Sequence, residues 1–521
     1  MASFNVLTEP WIPVVFADGK REDLGIYSVL ANASKIRSIS AHSPLEEFGI
    51  YRIMFAFLMD ALQLEDSESI EELLANEQIP MDLVDEYVHK VVRDGGSFDL
   101  FDVESPFLQS PYNPQWDKKT KVVAYLRPEA ATGSNHIHFD HGATGDQALT
   151  PAEAMRSLAA VNVFSTAGTH GPSSINGAPP FYLLIQRPNL FEMLCYNLVP
   201  RSGVKAPMSY DDIPPIWRAS HEMRDIAPMH LVPQTSLLYG LTWPCRRVTL
   251  VPDDRGGFST LSGDHSAVTV RSVYCQAGLK FEGHSGWKDP YVSRVKGKEG
   301  MFSSLKYREQ RMIWRDLSVF IDSFSFDKEI PFVVDQYLRI RDVRQDPMSR
   351  LIAVKVYGVA TNQASYLDWI SDSFSVPVAL IRDEAAIITL NNCLVALEKG
   401  ASILRHSFGG KLKPELPYTD IVKRSKISDR ALLAYYPKAR AYIFDVLMSQ
   451  LLDRVSQPTS SHADIVFSLH QWIDQTVKDC FEMCCAEMNR SSQQLEWQIH
   501  TTSFLLGSLY KLSRSVVEDI E

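Results

Sequence analysis

Apolar residues recur at helical spacing from position 48. Phe48, Tyr51, Phe55, Leu58, Met59 and Leu62 follow in steps that place them on one side of a helix. Ser43 ahead of them suits a cap, Pro44 suits the first helical position, and Glu46 completes a capping-box pattern. A second start is Thr150-Pro151-Ala152-Glu153, again a capping box, continuing through Ala154, Leu158 and Val161. The C-terminal third holds four such stretches, about 378–405, 430–456, 462–488 and 493–515. In the third, Ile465, Leu469, Trp472, Thr476, Cys480 and Cys484 share one stripe. The links are short except at 406–429, so a four-helix bundle is predicted.

Elsewhere the pattern changes. Residues 2–16 predict an opening strand pair around Trp11-Ile-Pro-Val-Val-Phe16. Residues 178–375 mix short apolar runs with Pro, Gly and Asp turns, without repeating βαβ alternation. The predicted fold class is therefore α+β, with a mixed domain at 1–375 and a helical domain at 376–521. Two irregular segments, 128–149 and 165–177, flank the helix from Thr150. The second is a loop of small residues, Ser165 to Gly177, and binding residues concentrate on such loops.

Composition adds bounds. The chain has 521 residues, 45% apolar and 10% aromatic, which argues against disorder. Fifty-two bases against 63 acids leave a net charge of -11, arguing against a surface coated in nucleic-acid-binding charge. The charge is uneven. Residues 65–86 hold nine acids and no base, a solvated acidic face. Residues 288–315 hold eight bases against three acids, interleaved with Trp287, Tyr291, Phe302, Tyr307 and Trp314. Residues 401–430 hold seven bases against three acids. Such segments suit phosphate contact and stacking, and equally suit solvated faces. No secretion signal and no uncharged apolar stretch of about 18 residues is seen, so a cytoplasmic chain without a membrane span is expected. The seven cysteines form no C-x-x-C pair and are expected to be buried free thiols.

His136-Ile-His138-Phe-Asp140-His141 spells H-x-H-x-D-H, the metal-binding string of metallo-β-lactamase-fold hydrolases. A metal-dependent hydrolase using these residues is the alternative reading. Context opposes it, because the string follows a polar loop rather than a buried strand, and His170 on a small-residue loop is the nearest downstream candidate. No phosphate-binding loop, dinucleotide fingerprint, nucleophile elbow or H-E-x-x-H is present.

Several segments occur together in order: Val6-Leu-Thr-Glu-Pro-Trp11-Ile-Pro-Val14, Ser105-Pro-Phe-Leu-Gln109, the loop with Phe139-Asp-His141, the helix from Thr150, the 165–177 loop, Asn362-Gln-Ala-Ser365 and the helical C-terminus. Nearly end to end, this resembles the CasA family, the large subunit of the type I-E CRISPR surveillance complex Cascade. The resemblance implies a non-enzymatic subunit without cofactor. Its implied partners are other Cascade subunits, the CRISPR RNA (crRNA), target double-stranded DNA and a helicase-nuclease recruited later. It implies reading of the protospacer-adjacent motif from the minor groove, followed by duplex opening. The family's glutamine wedge resembles Gln363 and Ala364, beside Asn362. Its lysine finger resembles Lys280, with Lys288 and Lys296 as rivals. Its glycine loop resembles 165–171, with Gly168 and Thr169. Phe139 and His141 resemble the loop that contacts the 5′ handle of the crRNA, where some relatives carry asparagine at the second position. Paired cysteines that suggest zinc in some relatives are absent at the matching positions, so no metal is expected.

Overall fold

The computed structural model describes residues 2–127, 148–168, 171–253, 267–283, 286–297, 299–309, 311–340, 351–362, 365–409, 421–456, 462–486 and 492–518. The chain forms two compact units. The first comprises Met1–Gln310, Asp327–Gln345 and Ala353–Ser373; the second comprises Arg311–Phe326, Asp346–Ile352 and Phe374–Glu521. The sequence pattern assigns 311–326 to the first domain, whereas this segment joins the second unit. Its Trp314, Leu317, Phe320 and Ile321 are all buried.

The first unit is built on the Pro44–Leu62 helix, which is buried on every face from Leu45 to Asp60. A helix buried all round belongs in a core. Ser43 caps it by accepting from Leu45 N at 3.1 Å, rather than from Glu46 N as in a capping box. Gly49 lets the Pro151–Phe164 helix approach closely, since a Cβ there would lie 2.5 Å from Ala159 O. Phe48 stacks on Tyr182 at 4.4 Å and meets Tyr357 at 5.3 Å. Glu47 accepts from Lys355 Nζ at 2.5 Å and from the Tyr357 hydroxyl at 2.7 Å, tying the helix to the strand Leu351–Asn362.

That strand lies between Ser365–Pro377 and Tyr182–Gln186. With Tyr182–Gln186 it runs antiparallel, Val354 facing Ile185 and Val356 facing Leu183. A second sheet pairs Arg246–Asp253 with Thr269–Ala277, and Lys121–Val122 adds to it. A third centres Ile12–Phe16 between Arg21–Leu24 and Ile36–Ile39. The opening strand thus starts at Ile12 rather than near residue 2, because Asn5 turns the chain: its side chain accepts from Leu7 N and its carbonyl from Thr8 N. The acidic stretch forms the helix Ser67–Ala75 and enters the helix Met81–Arg93, and eight of its nine acids are exposed, Glu71 being half-buried.

The second unit contains long helices at Glu384–Gly409, Ile421–Ala441, His462–Ala486 and Ser492–Glu518. The stretch expected from 378 is split, because Asp383 accepts from Ala386 N at 2.8 Å and caps a new helix after the short Val378–Ile381 turn. The stretch expected at 430–456 carries Pro437 and passes through a π-turn, Tyr442–Leu447, before Met448–Ser456. Proline lacks the N–H that an α-helix needs. At Gly400 three helices meet, for a Cβ there would lie 2.7 Å from the Tyr435 hydroxyl and 2.8 Å from Ile473 Cγ2. Arg315 pairs with Glu398, and its guanidinium lies 5.6 Å from the Tyr436 ring. Glu384–Phe408 is long and apolar enough to cross a membrane, yet it packs against the three other long helices, as a core helix does. All seven cysteines are free and buried, as expected.

Candidate nucleic-acid interface

The Pro151–Phe164 helix aims the small-residue loop. Its capping box forms: Thr150 Oγ1 accepts from Glu153 N at 3.1 Å, and Glu153 Oε2 accepts from Thr150 N at 2.7 Å. The helix stops at Ser165, which is extended and donates its hydroxyl to Val161 O at 2.5 Å. Beyond it, Gly168 and Gly171 exchange backbone hydrogen bonds of 3.1 and 3.2 Å. Gly171 has φ +138°, and a Cβ on it would lie 2.9 Å from both Ala277 Cα and Arg246 Nη1. Only glycine fits this contact and conformation together. The buried Arg246 guanidinium donates to Thr166 O at 2.8 Å and to Pro172 O, clamping both arms of the loop.

Lys280 stands on the two-residue strand Lys280–Phe281, parallel to Leu231–Val232. Its amide donates to His230 O at 2.9 Å, and its side chain is exposed. Gly278 makes the preceding turn possible, since a Cβ would lie 2.1 Å from Pro244 O. Gly168, Gly171, Lys280, Arg294, Phe302 and Lys306 all line one open cavity of about 570 Å³ in the first unit. The rivals to Lys280 stand differently. Lys288 pairs with Glu329 at 3.0 Å and Lys296 with Asp327 at 3.9 Å, and neither lines the cavity. Arg294 is also held by Glu329, at 3.1 Å. Much of the basic run is thus neutralised by neighbours. Among the described residues, Lys280 and Lys306 are the cavity-lining cations without an ion pair.

Asn362 is exposed at the end of its strand, and Ser365 begins the next. Gln363 and Ala364 lie outside the described residues, as do Thr169, Phe139, His141 and the whole H-x-H-x-D-H string. The returning strand is nevertheless anchored beside the loop. The Tyr366 hydroxyl donates to Phe164 O at 2.8 Å, one residue before the loop begins. Burial pushes the Tyr366 phenol up to about 12, which keeps it a neutral donor. Further along, Asp368 accepts from the Tyr307 hydroxyl at 2.8 Å, next to Lys306. Among the described residues no group of three His, Cys, Asp or Glu side chains is placed to hold a metal ion. Sequence reasoning missed Arg246 and Tyr366, whose partners are backbone carbonyls that no motif marks.

The comparisons with known proteins agree with one another. Residues 5–445 match the model of the CRISPR-associated protein Cse1 family. A CRISPR-associated protein CasA/Cse1 of Thermus thermophilus is 27% identical over 410 residues, 74% of this chain and 73% of that protein. A solved structure of Thermus thermophilus CasA superposes with a TM-score of 0.76 at 21% identity, over 98% of this chain and 100% of that one. A chain of a solved CRISPR RNA-guided surveillance complex superposes with a TM-score of 0.69 at 18% identity, over 97% of this chain and 100% of that one. With a match that runs over residues 5–445, most of its length, this chain belongs to the Cse1, or CasA, family of CRISPR-associated proteins.

Proposed function

We propose that the chain, as the large subunit of a type I-E Cascade complex, reads the protospacer-adjacent motif of target double-stranded DNA and starts its opening. One observation carries this reading: Lys280 and the Gly168–Gly171 turn line a single cavity, and the hairpin that ends at Asn362 returns through Tyr366 to the root of the same loop. A lysine entering the minor groove meets acceptors that are nearly alike in A·T and T·A pairs, so several motif sequences are tolerated. Glycines bring backbone N–H groups to the groove floor without a Cβ. Gln363 and Ala364 wedge beneath the motif, at an unstacking cost of a few kcal/mol that contacts to the separated strands offset. Phe139 stacks on a base of the crRNA 5′ handle beside His141. The subunit acts in the cytoplasm without enzymatic activity or cofactor. Residues 1–375 carry the reading loops and 376–521 form a four-helix bundle, and the subunit helps recruit the helicase-nuclease after target binding.

The test is target binding by assembled complex across a randomised motif library. Gln363→Ala and Lys280→Ala are expected to lose motif-dependent binding. Wild-type-like selection by both variants would end this reading.

A further inference from the structure

The far end of the small-residue loop carries a second anchor, distinct from Arg246. Asn176 Nδ2 donates to Asp289 Oδ2 at 2.9 Å and to the Tyr182 hydroxyl at 3.2 Å, while its Oδ1 accepts from Trp287 Nε1 at 2.7 Å. Asp289 is almost wholly buried and is itself fixed from the central helix: Arg52 Nη1 donates to the same Oδ2 at 2.8 Å. Its other oxygen accepts from Tyr291 N at 3.1 Å. Arg52, 3% exposed, spends its remaining donors on Leu241 O and Gly240 O, so it cannot swing away. Trp287 is pinned as well, for a Cβ on Gly240 would lie 2.2 Å from its Cζ3. Asn176, Trp287 and Asp289 all line the cavity that Lys280 and Gly168 share.

A loop rich in glycine has no rigidity of its own, so its shape is set by whatever holds its ends. Arg246 holds the carbonyls of Thr166 and Pro172; further along, Asn176 is held by Asp289, Tyr182 and Trp287, and Asp289 ties it to Arg52 on the central helix. Resting on the motif-reading role proposed above, we propose that Asn176 is a positioning residue for that reading. Through Asp289 and Arg52 it sets the height of the Gly168–Gly171 turn against Lys280, and so the width of groove the two accept. Asn176 need not touch DNA for this role.

The test uses assembled Cascade complex carrying Asn176→Ala, with two targets: an intact duplex with a permitted motif, and the same target with the adjoining base pairs mismatched into a bubble, which removes the need for motif-driven opening. Binding to the intact duplex is expected to weaken about tenfold, with the bubble target held within about twofold. Equal weakening on both targets, or none on either, overturns the proposal. Trp287→Phe removes the donor to Asn176 Oδ1 together with part of the ring that packs on Gly240, so the bubble target serves as its control. It is expected to shift the same ratio in the same direction, and it carries the test if Asn176→Ala fails to assemble; an unchanged ratio then counts against the proposal. Lys280→Ala separates the two levels. If that variant keeps motif selection, and Gln363→Ala does too, the functional reading fails and this inference with it. If it loses selection while Asn176→Ala and Trp287→Phe bind like wild type, the inference alone fails.

Discussion

Two glycines of the same loop are expected to respond differently to alanine, because different forces act on them. Gly177 has φ +78° with nothing within 4 Å of where a Cβ would sit, so Gly177→Ala meets only the left-handed backbone cost, about 1 kcal/mol. Gly171 combines φ +138° with a backbone atom 2.9 Å away, so Gly171→Ala must move the turn, at about 2–3 kcal/mol. Thermal midpoints of the two variants, measured side by side, check the order. A second residue gives a pH signature. Burial, and then Lys399, lowers the His470 pKa from its ordinary 6.5. The unfolded chain therefore takes the proton more readily than the folded one. Stability is full above 6.5 and falls as pH drops through 6.5 toward the folded pKa. His470→Gln is expected to flatten that acid limb in midpoints measured from about pH 8 down to about pH 5.

Among the elements, the crossing of the Pro44–Leu62 and Pro151–Phe164 helices depends on Gly49. Gly49→Ala places a methyl against the Ala159 carbonyl, and a loss of about 1–3 kcal/mol is expected in thermal or denaturant unfolding. Both helices are legible in the sequence, since Ser43, Pro44 and the Thr150–Glu153 box are local signals. The break at Asp383 and the π-turn after Pro437 are less so, because apolar spacing continues across both while capping and proline geometry decide the outcome. In the site, Lys280 and the small-residue loop can be picked out by family resemblance. What distinguishes Lys280 from Lys288 and Lys296 is the placing of Glu329 and Asp327, about thirty to forty positions further along the chain, which no local pattern reports. The Arg52–Asp289 pair is harder still, its members being 237 positions apart.

Over the whole molecule, the charge of -11 is a poor guide to its contacts. Exposed acids crowd two helices and most of the basic run is paired, so that among the described residues Lys306 of that run and Lys280 ahead of it are the unpaired lysines on the cavity wall. If each neutralises one phosphate, affinity of the free chain for duplex DNA falls roughly tenfold between about 50 and 200 mM salt. Fluorescence anisotropy over that range measures the slope. A much steeper one points to further basic contacts, with the 401–430 segment the first place to look.

The burial of every cysteine gives the chain a built-in clock. A thiol reagent has nothing to attack until a unit opens, so the time course of modification reports opening events rather than surface chemistry. Cys195, Cys245 and Cys275 report on the first unit, and Cys393, Cys480, Cys484 and Cys485 on the second. Mass-resolved labelling is therefore expected to stay near zero in the native chain and then rise as two groups, each with its own rate. A cysteine placed at the exposed Asn362 would react alone and at once, giving a single chemical handle beside the proposed wedge.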